Sequence, residues 1–276
     1  MTQVQKLWPL LTATHHYDKS ISTRGRGHGV QIEAPILAFL IETRQGRVLF
    51  DVGCDYNKLS DRTLRARWYD PVEFPMGPPQ MSEEQRLEAH LAKLGLTCQD
   101  IDMVFLSHLH FDHAGGLCDV CGAEVHVHED ELHAAREPAD NAYFADDFTG
   151  NVRWRLQQDE YDLLPGLRAI NTPGHTAGHM SLMIELPTGA PVILTGDAAD
   201  LTENLDDEIA PGLCWRDRED MALDSIRKLK RIAGETGAEL WPNHDMVFWR
   251  TLNRGKGKHH WSPRHALTIG KRIKAC

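Results

Sequence analysis

The chain has 276 residues, 41% of them hydrophobic and 25% charged, so it can bury a sizeable core as one large domain or two small ones. A net charge of −10 at pH 7 argues against general affinity for nucleic acid, and no apolar run approaches the roughly 20 residues that span a bilayer. The first twenty residues lack a signal-peptide layout, so a cytoplasmic protein with its six cysteines reduced is expected.

Residues 1–30 read as a strand followed by a loop carrying Gly25, Gly27 and Gly29. Ala34–Glu42 and Arg47–Asp51 form apolar runs separated by Arg44-Gln-Gly46, as in a hairpin. Residues 54–80 are expected to be irregular, with Pro71, Pro75, Pro78 and Pro79. Their Trp68, Tyr69, Phe74 and Met76 could equally wall a pocket or cover the core. Ser82 and Gln85 make a capping box for a helix whose Leu87, Leu91 and Leu94 recur at helical spacing before Gly95 stops it.

An apolar run, Ile101–Leu106, then ends in His108, His110, Asp112 and His113. Ala123–His128 alternates like a strand and Glu129–Arg136 reads as a helix. His126, His128 and His133 are excluded as ligands. Residues 137–162 hold Tyr143, Phe144, Phe148, Trp154 and Tyr161, a second candidate wall. Met180–Leu186 and Val192–Thr195 read as strands. Asp217 is expected to cap a helix with Ala222, Ile226, Leu229 and Ala233 on one face, and Ala238–Trp241 forms a last strand. From residue 246 to 276 the chain carries eight Lys or Arg and no Asp or Glu. This basic extension either packs on the acidic body or a second subunit, or helps hold an anionic substrate.

The chemistry concentrates in Ser107-His-Leu-His-Phe-Asp-His-Ala-Gly-Gly116. Side chains alternate in extended backbone, so His108 and His110 face one way. Asp112 and His113 can then face a second position beside the first, and the glycines permit a tight bend. Packed beside a buried strand, these polar groups need a shared partner to offset desolvation. His175, in Thr172-Pro-Gly-His-Thr-Ala-Gly-His179, Asp197, in Thr195-Gly-Asp, and His244, after Leu240-Trp-Pro-Asn, each follow a strand-like segment. Five His and two Asp suffice for two metal ions. Cys118-x-x-Cys121 stands alone, and two packed small residues explain it better than a redox or zinc pair.

The ordered set His108-x-His110-x-Asp112-His113, His175, Asp197, His244 resembles the metallo-β-lactamase fold superfamily. The resemblance extends over about residues 30 to 245 and is nearest to the N-acyl-homoserine lactonase group. Leu40-Ile-Glu-Thr, Val48-Leu-Phe-Asp-Val-Gly53, Met81-Ser-Glu-Glu and Ala222-Leu-Asp-Ser-Ile-Arg-Lys-Leu-Lys230 also match that group's pattern. The resemblance implies an α/β fold, a four-layer αββα sandwich, with residues 1–276 as one hydrolase domain and 246–276 as its basic extension. It implies that His108, His110 and His175 hold a first divalent metal, that Asp112, His113 and His244 hold a second, and that Asp197 bridges them. Zinc is the first expectation; iron, manganese and cobalt suit the same ligands.

The reaction it implies is attack of a bridging hydroxide on an electrophilic carbon, opening a lactone or cleaving an ester of a small molecule. Asp112 would relay the proton and Asp51 would hold the metal-site loop. The group usually has a Tyr three residues after the bridging Asp; here Asp200 stands there, so Asp112 and Asp200 are the catalytic candidates. A glyoxalase II-like thioesterase, or a hydrolase of another activated bond such as an aryl ether, is the alternative. An iron redox enzyme of the flavodiiron kind would carry Glu for the second His and a flavin domain, and a nuclease of this fold would need a nucleic-acid-binding appendage. Exposed irregular loops leave room for a homodimer.

Overall fold

In the computed structural model, which describes residues 2–138 and 140–253, the chain opens with two long antiparallel strands, β1 (Val4–Asp18) and β2 (Gln31–Thr43). A tight turn at Arg44–Gln45 leads into β3 (Gly46–Phe50), completing the expected hairpin. Two short helices follow, α1 (Tyr56–Ser60) and α2 (Arg62–Trp68), in the stretch expected to be irregular. Aspartates explain both: Asp55 accepts from the Asn57 N–H, and Asp61 from the Thr63 and Leu64 N–H groups.

The Ser82 capping box is present, with Gln85 Oε1 accepting from the Ser82 N–H at 2.9 Å, but it closes a 3-10 turn; the helix proper, α3, spans Leu87–Lys93. Next come β4 (Met103–Phe105), the one-turn α4 (Phe111–Ala114), β5 (Glu124–His128), α5 (Glu129–Arg136) and β6 (Arg153–Gln157). The first sheet has the order β1-β2-β3-β4-β5-β6, and β3 to β6 run parallel.

The second sheet is built from β7 (Tyr161–Leu164), β8 (Leu167–Asn171), β9 (Met180–Ile184), β10 (Val192–Leu194) and β11 (Glu239–Trp241), in the order β11-β10-β9-β8-β7. Strands β10 and β11 are parallel, joined through α6 (Thr202–Asp207) and α7 (Glu219–Thr236). Asp217 does not cap α7: it adopts φ 64 in the preceding 3-10 turn and pairs with Arg24. A further helix, α8 (Met246–Asn253), follows β11 and packs Phe248 and Trp249 against the core. The basic residues from 254 onward lie outside the described residues.

Three apolar layers define the architecture. Phe39, Phe50 and Phe105 of the first sheet meet Leu182, Leu194 and Trp241 of the second. On the far side of the first sheet, Leu40, Leu49 and Val104 pack against Leu87 and Leu91 of α3 and Leu132 of α5. On the far side of the second, Ile170, Met183 and Ile193 receive Leu229 and Ile232 of α7. Each fully buried aliphatic or aromatic side chain contributes roughly 1.5–3 kcal/mol. Two sheets face each other with helices outside, the expected αββα sandwich. Among the described residues, no helix is long and apolar enough to cross a membrane.

Candidate metal centre

The C-terminal ends of β4, β8, β10 and β11 deliver the predicted side chains to one place. The turn after β4 is fixed by Asp51, at the end of β3, which is fully buried and holds the uncommon φ of 54°. Its carboxylate accepts from the Ser107 N–H at 2.7 Å and the Ser107 hydroxyl at 2.9 Å, and lies 2.8 Å from His113 Nδ1. Gly115 and Gly116 serve close approach rather than an unusual turn. A Cβ at Gly115 would lie 2.4 Å from the Asp55 nitrogen, and one at Gly116 2.3 Å from the Val52 oxygen.

Three groups of donor atoms converge, each within 4.8 Å: His108, His110 and His175; His108, His113 and Asp197; Asp112, His113 and His244. His110 Nδ1 and His175 Nε2 are 3.1 Å apart. Two nitrogens held about 2.0–2.1 Å from one tetrahedral ion sit at about this separation. Asp197 stands between the two sides. Its Oδ1 is 3.2 Å from both His113 Nε2 and His244 Nε2; its Oδ2 lies between the groups, 3.3 Å from His244 Nε2, 3.5 Å from His175 Nε2 and 3.9 Å from His108 Nε2. Asp112 Oδ2 lies 3.7 Å from His113 Nε2 and from His244 Nε2.

The outward nitrogen of each imidazole is engaged elsewhere. His108 Nδ1 contacts the Ser107 hydroxyl (2.9 Å), His113 Nδ1 Asp51, His175 Nδ1 the Leu213 carbonyl (3.1 Å) and His244 Nδ1 the Pro35 carbonyl (2.9 Å). His110 turns its Nε2 toward Asp140, at 3.5 Å. A carbonyl or carboxylate can only accept, and the Ser107 hydroxyl gives its proton to Asp51, so these contacts place the proton outward and leave a lone pair facing the cage. The inner Nε2 atoms of His108 and His113 are buried with no hydrogen-bond partner among the described residues. Lone pairs orphaned in this way, beside two carboxylates, fit a pair of divalent metal ions.

Charge points the same way. Burial, then the neighbouring His113 and His110, hold His108 well below the usual histidine range, and burial brings His175 to about 4. Both are thereby kept neutral, the ligating form. Burial is the largest influence on His113 and His244 too, and opposes their charge, but the surrounding carboxylates, Asp197 first, together outweigh it, pushing His113 well up and His244 to about 10. The carboxylates demand positive charge at this spot, and bound cations would displace those protons. Replacing Asp51 by Asn, which leaves one acceptor oxygen where two held the Ser107 N–H, the Ser107 hydroxyl and the His113 ring, should weaken metal affinity about 10–100-fold. Competition against a chromophoric chelator measures this, and unchanged affinity would remove Asp51 from the support.

Several supporting residues escaped the sequence reading. Glu131 of α5 is fully buried; it accepts from the Leu109 N–H (3.0 Å), the Gly178 N–H (3.1 Å) and the Tyr143 hydroxyl (3.0 Å), tying both histidine loops together. His179 accepts from the Asp197 N–H at 2.9 Å and is itself held by Thr172. Gly196, at φ 54°, is where the chain passes that ring: a Cβ there would lie 2.6 Å from His179 Nε2. The excluded histidines are structural where they are buried: His126 bonds Glu124 and Tyr161, and His128 bonds the Gln158 carbonyl while capping α5. Cys118 and Cys121 are exposed free thiols, with Cys121 Sγ directed at the Cys118 carbonyl.

The cage opens into a narrow cleft. Met76 and Ala142 reach it from the two predicted wall stretches, and Tyr143 packs its ring 4.5 Å from that of His110. Trp68, Tyr69 and Phe74 instead pack with Phe144 as core. The N-terminal strand and the loop after it add His15, Tyr17 and Ile21, unforeseen in the sequence. His15 donates from Nε2 to the Gly77 carbonyl at 2.8 Å. Asp200 also lines the cleft; burial, then the Asp197 charge, raises its carboxyl to about 8.

A family model described as the metallo-beta-lactamase superfamily matches residues 33–244. An N-acyl homoserine lactonase from Bacillus sp. is 32% identical over 218 residues, covering 79% of this chain and 84% of that protein. Another, from Bacillus cereus, is 29% identical over 243 residues, covering 88% and 94%. A solved N-acyl homoserine lactone hydrolase, with the product N-hexanoyl-L-homoserine at its catalytic metal center, superposes with a TM-score of 0.81 at 28% identity, covering 91% of this chain and 97% of that one.

Proposed function

The chain belongs to the metallo-beta-lactamase superfamily, and from that premise we propose that it hydrolyses a small-molecule lactone, with two zinc ions held in the cage. His108, His110 and His175 would hold the first ion, Asp112, His113 and His244 the second, and Asp197 both. The observation that carries this reading is the place of the buried Asp197 carboxylate between the two histidine groups, within 3.5 Å of His113 and His244 on one side and of His175 on the other. Two such cations supply Lewis acidity, lowering the pKa of a water and polarising a carbonyl.

The chain's own groups do the rest. Asp112 stands at the mouth of the cage and is positioned to take and return a proton. Phe111, Met76 and Ala142 narrow the approach, which limits bulk water around the reacting groups. The kinship with N-acyl homoserine lactonases supports a lactone over a thioester or an aryl ether.

The test is a panel of lactones, esters, thioesters and aryl ethers offered to metal-loaded protein, paired with elemental analysis. Expected are about two zinc equivalents per chain, lactone opening faster than cleavage of the other classes, loss of turnover on chelation and recovery on re-addition. Thioester or aryl ether cleavage with inert lactones would replace the reading; full turnover by metal-free protein would end it.

A further inference from the structure

Asp200 is the part of the cleft that the metal chemistry leaves unused. The residue is 4% exposed, it lines the cleft beside Tyr17 and Ile21, and its Oδ1 has no hydrogen-bond partner among the described residues. Its backbone is fixed, because the Asp200 carbonyl accepts from the His244 N–H at 2.9 Å. Two hydroxyls stand close by: the Tyr17 phenol and the Ser22 hydroxyl are 2.9 Å apart, and Ser22 borders the Asp200 carboxyl. The cations of the adjoining loop are committed elsewhere. Lys19 pairs with Glu203, Arg24 with Asp217 and Glu219, and Arg26 with Glu203 and Asp207.

A buried carboxyl oxygen without a partner is costly, and a donor arriving on a ligand recovers that cost. An apolar group at the same place would leave it uncompensated. A site of this kind therefore discriminates strongly against an analogue that lacks the donor.

We propose that Asp200, backed by Tyr17 and Ser22, forms a recognition subsite for a hydrogen-bond donor, a hydroxyl or an N–H, carried by the substrate near its scissile carbonyl. The substrate class is then a lactone or ester bearing such a donor. This builds on the hydrolase reading, since the subsite is defined relative to the cage.

The experiment uses metal-loaded full-length protein and matched sets: γ-butyrolactone, its hydroxylated forms at each ring carbon, their O-methyl ethers, and N-acyl homoserine lactone with its N-methyl counterpart. The corresponding lactams, which resist opening, are measured for binding by calorimetry. At least one donor-bearing compound should exceed both its unsubstituted and its methylated partner by about 10–100-fold in kcat/KM, and its lactam should bind more tightly by a similar factor. Asp200→Ala should erase that ratio, and Asp200→Asn, which keeps one acceptor oxygen, should retain part of it. Ser22→Ala and Tyr17→Phe should reduce it, which keeps the question decidable should the Asp200 variants fail to fold. Ratios within about twofold of unity throughout the wild-type series would overturn the subsite while leaving lactone opening intact. Asp200-dependent binding of a donor-bearing lactam without any hydrolysis would uphold the subsite and sink the hydrolase reading.

Discussion

An Asp197→Asn protein is expected to fold, to bind fewer than two metal equivalents, and to lose about 10³-fold or more in kcat/KM, because an interaction of several kcal/mol with the metal pair disappears. Asp197 is buried, and its two oxygens face four imidazoles. The amide is nearly isosteric, so packing survives, but one oxygen becomes an NH2 that cannot ligate and the bridging negative charge is gone. Elemental analysis gives the stoichiometry and circular dichroism the fold. A well-folded variant with full metal content and undiminished turnover would mean that Asp197 does not join the two halves of the cage.

Glu131→Ala is expected to cost about 3–5 kcal/mol of stability, read from the shift of a urea unfolding midpoint at constant slope. The substitution strands two buried backbone N–H groups and a phenol hydroxyl, each worth about 1–3 kcal/mol when left unpaired. The total stays below the simple sum because the donors share one partner. Tyr143→Phe introduced on top should return part of the loss, since the stranded hydroxyl is then absent. A cost under 1 kcal/mol would show that the two histidine loops are held together by something other than this carboxylate.

The seven proposed ligands were legible because they are chemically conspicuous: His and Asp at the ends of buried runs have few structural explanations. The layers were legible where periodicity was long, as in the Ala222, Ile226, Leu229 face of α7. What surrounds the ligands was not. Glu131 looks like any acid in the first turn of a helix, and only the fold brings the Leu109 and Gly178 amides to it. His15 and Tyr17 sit on β1, some ninety residues before the first ligand, and nothing local ties them to the cleft. Helices α1 and α2, with five and seven residues, are too short for a hydrophobic period to emerge; their aspartate caps were the readable trace. Asp217 was misjudged because a capping residue and an aspartate in the left-handed region look alike in sequence.

The cage draws its members from the ends of strands in both sheets, spread from residue 108 to residue 244. An unfolded chain holds no such arrangement, so cations held by this cage would bind the native state almost alone and act as a clasp between the halves of the sandwich. By mass action, free metal at a hundred times its dissociation constant adds about 2.7 kcal/mol to folding. The population of folded molecules would thus become a function of metal supply, and scarcity would expose the chain to proteolysis as well as silence it.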